Sequence, residues 1–185
     1  MENIYFDLAR LKYLGKGAII GKTVRIRKPE ETVIGDYTIV DDFTYISCAL
    51  TTGKYCHIAP NVTISGGAGR VTLGNFVGIS CGGSVHPMSE DYVSASLNMP
   101  SIPKELQFGA VAGDIVMEDY VLLGARSVVL PGVHLPEGFA SAAHTIIAKK
   151  KYEPWVLYGG PSARRLVRRE HARAAECGRK LLEIV

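Results

Sequence analysis

The 185-residue chain contains no run of 18 apolar residues, so no segment reads as a transmembrane helix. Its first stretch, MENIYFDLARLKYLGKG, has neither a basic leader followed by an apolar run nor a small-residue cleavage site, and a soluble cytoplasmic protein is expected. None of the four cysteines forms a CxxC pair. Cys48, Cys56 and Cys81 fall within repetitive segments, so they read as buried small apolar side chains rather than metal ligands or disulfide partners. At this length, with 47% hydrophobic residues, one domain spanning 1–185 is expected. Charge is unevenly spread. Residues 164–180 hold seven Arg or Lys against two Glu, whereas the whole chain is only +3. That tail reads either as a solvated helix face or as a site for a phosphate-bearing ligand or nucleic acid.

What the chain has in abundance is a beat of six. The opening positions are Leu14, Ile20, Ile26, Ile34, Val40, Ile46, Thr52, Ile58, Ile64, Leu73, Ile79 and Val85, then Met117, Leu123, Val129, Leu135, Ser141 and Ile147. Small or β-branched residues stand four places later, as at Val24, Thr38, Cys56, Val62, Val121 and Thr145. This period is neither 3.6 nor 2. A single hexad cannot bury its own aliphatic residue, but three hexads closing a triangular coil, stacked on the next coil, make a continuous core. A parallel β-helix is therefore expected, each inward aliphatic contributing about 1.5–3 kcal/mol. Gly15, Gly21, Gly35, Gly53, Gly74 and Gly124 follow openers and suit tight corners, where a left-handed or cramped backbone excludes a large Cβ substituent. Steps of eight from Ile26 to Ile34 and nine from Ile64 to Leu73 predict short corner loops. Residues 1–13 read as a capping helix, 14–86 and 115–150 as coils, and 161–185 as a C-terminal helix with Leu166, Ala174, Leu181 and Leu182 as its apolar positions.

The beat stops at His86, which occupies a corner where other hexads place glycine, and the chain departs with Pro87. The excursion, 87–114, carries Met88, Tyr92, Leu97, Met99, Ile102, Leu106 and Phe108. It is too apolar for a solvated linker and is expected to pack on a neighbouring subunit, walling off a cleft beside His86.

The repeat resembles the hexapeptide-repeat acyltransferases. The resemblance implies a left-handed coil, a homotrimer with active sites at its interfaces, and acyl-CoA bound between neighbouring coils. In sugar and xenobiotic O-acetyltransferases of that superfamily a His-Pro dipeptide at the head of such a loop carries the general base, and His86-Pro87 looks like that element. A histidine with an ordinary pKa near 6.5 is mostly neutral at pH 7 and can accept a proton from an attacking hydroxyl or amine. The alternative is a histidine that only hydrogen-bonds at a corner.

The loop SEDYVSASLNMPSIPKEL (89–106) and the tail YEPWVLYGG (152–160) resemble a branch acting on nucleotide-linked or polysaccharide sugars, with a S(D/E)DYxxxxLxNPxxP loop before an EPWxxYxGxPA(K/R) tail. The matches are Ser89, Glu90, Asp91, Tyr92, Leu97, Pro100 and Pro103, then Glu153, Pro154, Trp155, Tyr158, Gly160, Ala163 and Arg164. Two departures stand out. Met99 replaces the pattern's Asn, with Asn98 one step early, which bears on acceptor specificity; Ser162 replaces a Pro, with Pro161 preceding it, which bears on how the chain enters its last helix.

Glu90 and Asp91 either orient the histidine or hold the acceptor, or else cap the loop. Tyr92 belongs to the same substrate-binding set. His57, at another corner, is a second catalytic or substrate-binding candidate if two subunits bring different corners together. On the donor side the resemblance implies that small residues let a pantetheine arm lie along the coil; these are Gly124, Ala125, Ala142 and Ala143. Lys149, Lys150 and Arg164 would meet the coenzyme A phosphates. Trp155 lies either against adenine or under the C-terminal helix.

The expected activity is acetyl transfer from acetyl-CoA to a sugar without an acyl-enzyme, favouring the amine of a nucleotide-linked amino sugar for surface polysaccharide biosynthesis. Acetylation of a sugar or xenobiotic hydroxyl is the second reading. A zinc carbonic anhydrase of this fold is remote, because its metal needs a histidine pair five apart, absent among His57, His86, His134, His144 and His171. No resident metal is expected. A non-enzymatic scaffold binding nucleic acid is equally remote, since nothing resembles a base-reading element.

Overall fold

The structure is a computed structural model describing residues 2–93 and 96–183. Met1 of the expected cap, residues 94–95 of the excursion and residues 184–185 of the expected last helix lie outside the described residues. Every hexad opener ends a strand of two to four residues, and the strands stack into three parallel sheets that form a β-solenoid of about seven turns. The first face collects strands ending at Leu14, Ile34, Thr52, Leu73, Met117 and Leu135. The second collects those ending at Ile20, Val40, Ile58, Ile79, Leu123 and Ser141, and the third those ending at Ile26, Ile46, Ile64, Val85, Val129 and Ile147. Register keeps openers directly above one another, as in Leu14 with Ile34, Ile79 with Leu123 and Val85 with Val129. All openers are buried except Leu14, half-buried on the first coil.

Inward hydroxyls are satisfied by the corners they face. The Thr38 hydroxyl donates to the Gly53 carbonyl at 2.9 Å, and Thr52 Oγ1 accepts from the Gly35 N–H at 2.9 Å. Such pairing is what makes polar residues tolerable in the stack.

Of the two reasons for glycine at the corners, a cramped backbone holds and a left-handed one does not. The glycine after an opener is not the left-handed residue; a Cβ at Gly35 would stand 2.1 Å from the Gly53 oxygen, so close stacking of successive coils demands it. The left-handed residue comes third after the opener and is usually not glycine, as at Tyr37, Tyr55, Phe76 and Tyr120; Trp155, past the last opener, shares this backbone, and all five have φ between 54° and 61°. Their rings form a ladder outside the coil, with centroids 5.1, 5.5, 5.0 and 5.5 Å apart. Ring stacking of this kind offsets the cost of the left-handed backbone. Gly138, at φ +67°, leaves the gap into which Trp155 dips.

Three further expectations are corrected. The cap is no helix: a single 3-10 turn, Leu8–Arg10, precedes the strand Tyr13–Leu14. The tail is not helical from 161. After a turn at Gly160 the chain reverses, and Arg164–Arg168 pairs antiparallel with Val156–Gly159, covering the open edge of the second sheet. The helix is Ala172–Glu183; Gly178 is buried against Tyr120, whereas Leu166, Ala174 and Leu181 are exposed and Leu182 is only half-buried. Among the described residues no helix is long and apolar enough to cross a membrane.

Cys81, two places after its opener, points outward from a corner and is exposed, as is Cys177. Cys48 and Cys56 are buried, and burial pushes each thiol up to about 11. A chromogenic disulfide reagent is expected to titrate two thiols in the native protein at pH 8 and four after denaturation. Four fast native thiols would contradict the stacking.

Candidate active site

Every departure from the six-residue step falls at one edge of the prism, between the third face and the first. Residues Pro29–Glu31 form a 3-10 turn there, residues 66–69 a glycine-rich turn, and the long excursion leaves there after Ser84–Val85. The excursion is an antiparallel arm rather than an irregular loop: Met88–Glu90 pairs with Ala110–Ala112, and Leu97 bridges Phe108. The chain re-enters the coil with Ile115–Met117. Stacked insertions on one edge leave a cleft between them of about 800 Å³, within the usual range for small-molecule sites.

A column of corner residues forms its back wall. Arg27, Ser47, Ser65, His86 and Leu130 each follow a third-face strand, and each N–H bonds to the coil above at 2.9–3.0 Å. Successive members are therefore one strand spacing apart, about 4.8 Å. His86 is half-buried, and its Nδ1 lies 3.1 Å from Ser65 Oγ and 3.3 Å from the Ser65 carbonyl oxygen. A carbonyl oxygen can only accept, so this contact favours the tautomer with its proton on Nδ1. Nε2 is then left with a lone pair, the state a general base requires. Pro87 is buried, and the ideal Cβ of Gly69 would stand 2.5 Å from its Cβ; the tight fit fixes where the arm departs.

The arm supplies the front wall through Met88, Ser89, Glu90, Tyr92, Asn98 and Pro100. Glu90 Oε2 accepts from the Ser96 hydroxyl at 2.6 Å, so its carboxylate is held at the cleft. Asp91 does not line the cleft; its Oδ1 accepts from the Val93 N–H at 3.0 Å, the loop-capping arrangement. Tyr92 is 86% exposed on the arm, at the cleft rim.

The remaining candidates are elsewhere in the chain. His57 stands outward on the second face with Nε2 2.7 Å from Asp41 Oδ2, in a separate groove with Tyr55, Phe76, Leu122, Gly124 and Arg169. Gly124 and Ala142 stack at the corner between the second and third faces, where a Cβ on Gly124 would meet the Ala142 carbonyl carbon at 2.5 Å; Ala125 and Ala143 follow them. Smallness at Gly124 is already required by the stacking. Lys149 and Lys150 follow the strand Ile146–Ile147 on the same edge as His86, two coils further up, about 10 Å away. Lys149 lies over Gly132, and Lys150 Nζ donates to the Ser162 and Ala163 carbonyls at 2.8 and 3.0 Å, tying down the tail turn. Arg164 is exposed on the antiparallel strand. Trp155 is buried between Tyr120 and His171, with the Arg169 guanidinium 5.6 Å from its ring. Arg169 also donates to the Gly138 carbonyl at 2.5 Å, and burial holds its pKa below the usual arginine value. Trp155 thus takes the packing role.

Arg27, Lys28, Tyr45, Ser47 and Ser65 line the cleft without having been singled out in the sequence. The signal available was the eight-residue step at Ile26, which puts Arg27 and Lys28 in an insertion at the same corner as His86. Among the described residues no group of three or more His, Cys, Asp or Glu side chains is placed to hold a metal ion.

The stacked hexads, the single insertion edge and the histidine-bearing cleft make a β-solenoid that resembles the left-handed β-helix of the hexapeptide-repeat acyltransferases. No protein-family model matches the chain. It is similar to the dTDP-4-amino-4,6-dideoxy-D-glucose acyltransferase of Escherichia coli, 28% identical, the match covering 97% of this chain and 92% of that one. AntD, an N-acyltransferase from Bacillus cereus solved with dTDP-4-amino-4,6-dideoxyglucose and coenzyme A, superposes with a TM-score of 0.87 at 26% identity over 99% of both chains. A hexapeptide-repeat acetyltransferase of Vibrio cholerae, 18% identical with a TM-score of 0.54 over 88% of this chain and 76% of that one, shares the fold.

Proposed function

We propose that the protein transfers an acyl group from a coenzyme A thioester to the amine of a nucleotide-linked amino sugar, with His86 as general base. The observation that carries this reading is His86 itself, held through Nδ1 at the back of an open cleft that the arm walls from the front. The Escherichia coli and Bacillus cereus relatives support the acceptor class and the donor. The neutral amine attacks the thioester carbonyl while Nε2 takes its proton; the C–N bond forms, the C–S bond breaks, and the imidazolium returns the proton to the leaving thiolate. No acyl-enzyme is needed. Neither buried cysteine has a base partner, and burial disfavours their thiolates.

The active unit is a homotrimer in which a neighbouring protomer closes the cleft. Apolar groups exposed on the arm in one chain support this: Tyr92, Val93, Met99, Leu106 and Phe108 are between 48% and 95% exposed. Gly124, Ala125, Ala142, Ala143 and His57 reach the His86 cleft only as a neighbour's contribution, since a single chain holds them on other corners. Lys149 and Arg164 serve the donor phosphates. Both co-substrates are cytoplasmic metabolites, and the enzyme works in that compartment, in surface polysaccharide biosynthesis.

The test is thiol release from acetyl-CoA and 3-hydroxybutyryl-CoA over a panel of nucleotide amino sugars, nucleotide sugars without an amine, and plain amino glycosides. Turnover is expected only with nucleotide amino sugars. Preferential turnover of hydroxyl acceptors would replace N-acylation with O-acetylation, the reaction that the His86-Pro87 pair suggests. Light scattering during size exclusion is expected to give three chain masses, and full activity at one chain mass would overturn the interface site.

A further inference from the structure

The lower half of the cleft differs in chemistry from the part around His86. Its lining carries two cations, Arg27 and Lys28, with Tyr45 and Ser47 between them and the upper coils. Arg27 is the foot of the His86 column, three coils down, about 14 Å. Its guanidinium is exposed, with the Tyr45 hydroxyl raising its pKa. Lys28 rises from the adjacent residue and its Nζ donates to the Gly67 carbonyl at 3.1 Å, so its charge is carried up to the glycine-rich turn beneath the arm. On its outer side it pairs with Glu31 at 3.4 Å. Gly66 and Gly69 are demanded by the backbone of Pro87 and Met88, which a Cβ would meet at 2.7–2.8 Å. Gly67 is not: a Cβ there meets no atom within 4 Å, so that stretch of the turn faces open space. The one carboxylate in the lining, Glu90, is on the arm and already holds Ser96.

We infer that this lower half is a diphosphate subsite: Arg27 and Lys28, with the Gly67 turn, hold the pyrophosphate of a nucleoside-diphosphate acceptor whose amine lies at His86. The inference rests on the acceptor class proposed above and assigns the residues that read its nucleotide half. A pyranose ring spans roughly one coil spacing, about 5 Å, so an acceptor with its amine at His86 and its nucleotide half pointing down the column sets its phosphates one to two coils below, where the Lys28 ammonium at Gly67 and the long side chain of Arg27 reach up to them. Arg suits the bidentate contact and Lys the point charge. Coenzyme A carries a diphosphate of the same chemistry, but its expected contacts, Lys149 and Arg164, belong to the opposite end of the prism.

Calorimetric titration of the full-length protein with dTDP and, separately, with coenzyme A tests the assignment. R27Q and K28M are each expected to weaken dTDP binding about 10- to 100-fold, the loss of one charge-assisted contact, while coenzyme A affinity stays within about twofold. K180M, which removes a distant positive charge on the C-terminal helix, is expected to keep the wild-type dTDP affinity. Equal dTDP affinity in R27Q and wild type overturns the subsite, as does weakening of coenzyme A in place of dTDP. Wild type that ignores dTDP yet acetylates plain amino glycosides also overturns it while leaving acyl transfer standing. A selective dTDP loss in R27Q without thiol release on any acceptor supports the subsite and removes the proposed reaction.

Discussion

Replacing His86 by alanine is expected to lower kcat by about 10²- to 10⁴-fold, the usual contribution of a positioned general base. The thermal midpoint should move little, because His86 is half-buried and its backbone N–H, which holds the corner, is unaffected. Loss of activity alone does not separate a base from a corner histidine. H86N does. The asparagine amide can donate to the Ser65 carbonyl as Nδ1 does, but it offers no basic nitrogen toward the cleft. If His86 is the base, H86N is as inactive as H86A; if the residue serves only to brace the corner, H86N recovers much of the wild-type rate. The KM for the thioester should change far less than kcat in both variants, since Lys149, proposed above for the donor phosphates, is two coils away. An H86N enzyme turning over near the wild-type rate would sink the mechanism and leave the fold untouched.

The coil was legible because its signal is redundant: each inward position repeats every six residues and each is buried by the coils on either side, so a single exception such as Thr52 or Ser141 does not hide the beat. The site was only half legible. His86 was visible as the residue that ends a run, but Arg27 and Lys28 belong to a coil three turns earlier and no local pattern joins them to it. Only stacking brings them onto one edge. The aromatic ladder escaped for a different reason. A left-handed corner is conventionally a glycine position, and reading glycines as corners missed that rings stacked one coil apart make Tyr37, Tyr55, Phe76 and Tyr120 acceptable there. The tail was misread because RRLVR carries no periodicity that separates helix from strand over five residues. An unpaired sheet edge beside it decided the matter.

Phe139→Ala is expected to cost about 3–5 kcal/mol, the usual cost of truncating a fully buried aromatic side chain. Phe139 is fully buried in the upper coils, stacked on Tyr158 at 5.1 Å and meeting Tyr152 edge-on at 5.1 Å. These rings are cross-tied to the backbone: the Tyr152 hydroxyl donates to the Ala148 carbonyl at 2.7 Å, and the Tyr158 hydroxyl accepts from the Glu153 N–H at 2.9 Å. Burial holds the Tyr152 phenol up to about 12, so it stays a donor across the working pH range. In a stacked coil each turn contacts only its neighbours, and a cavity near one end destabilises that end before the rest. The thermal midpoint should fall by about 6–20 °C, and amide exchange should accelerate first in residues 134–159 and not in the coils below His86. Lys149 and Lys150 are carried by the segment that frays, directly beside Ala148. Below the unfolding range the variant should therefore show a raised KM for the acyl-CoA donor with dTDP affinity retained at the far end. Uniform acceleration of exchange over all coils would mean that the solenoid unfolds as one unit, and the separation of a donor end from a nucleotide end would lose its physical basis.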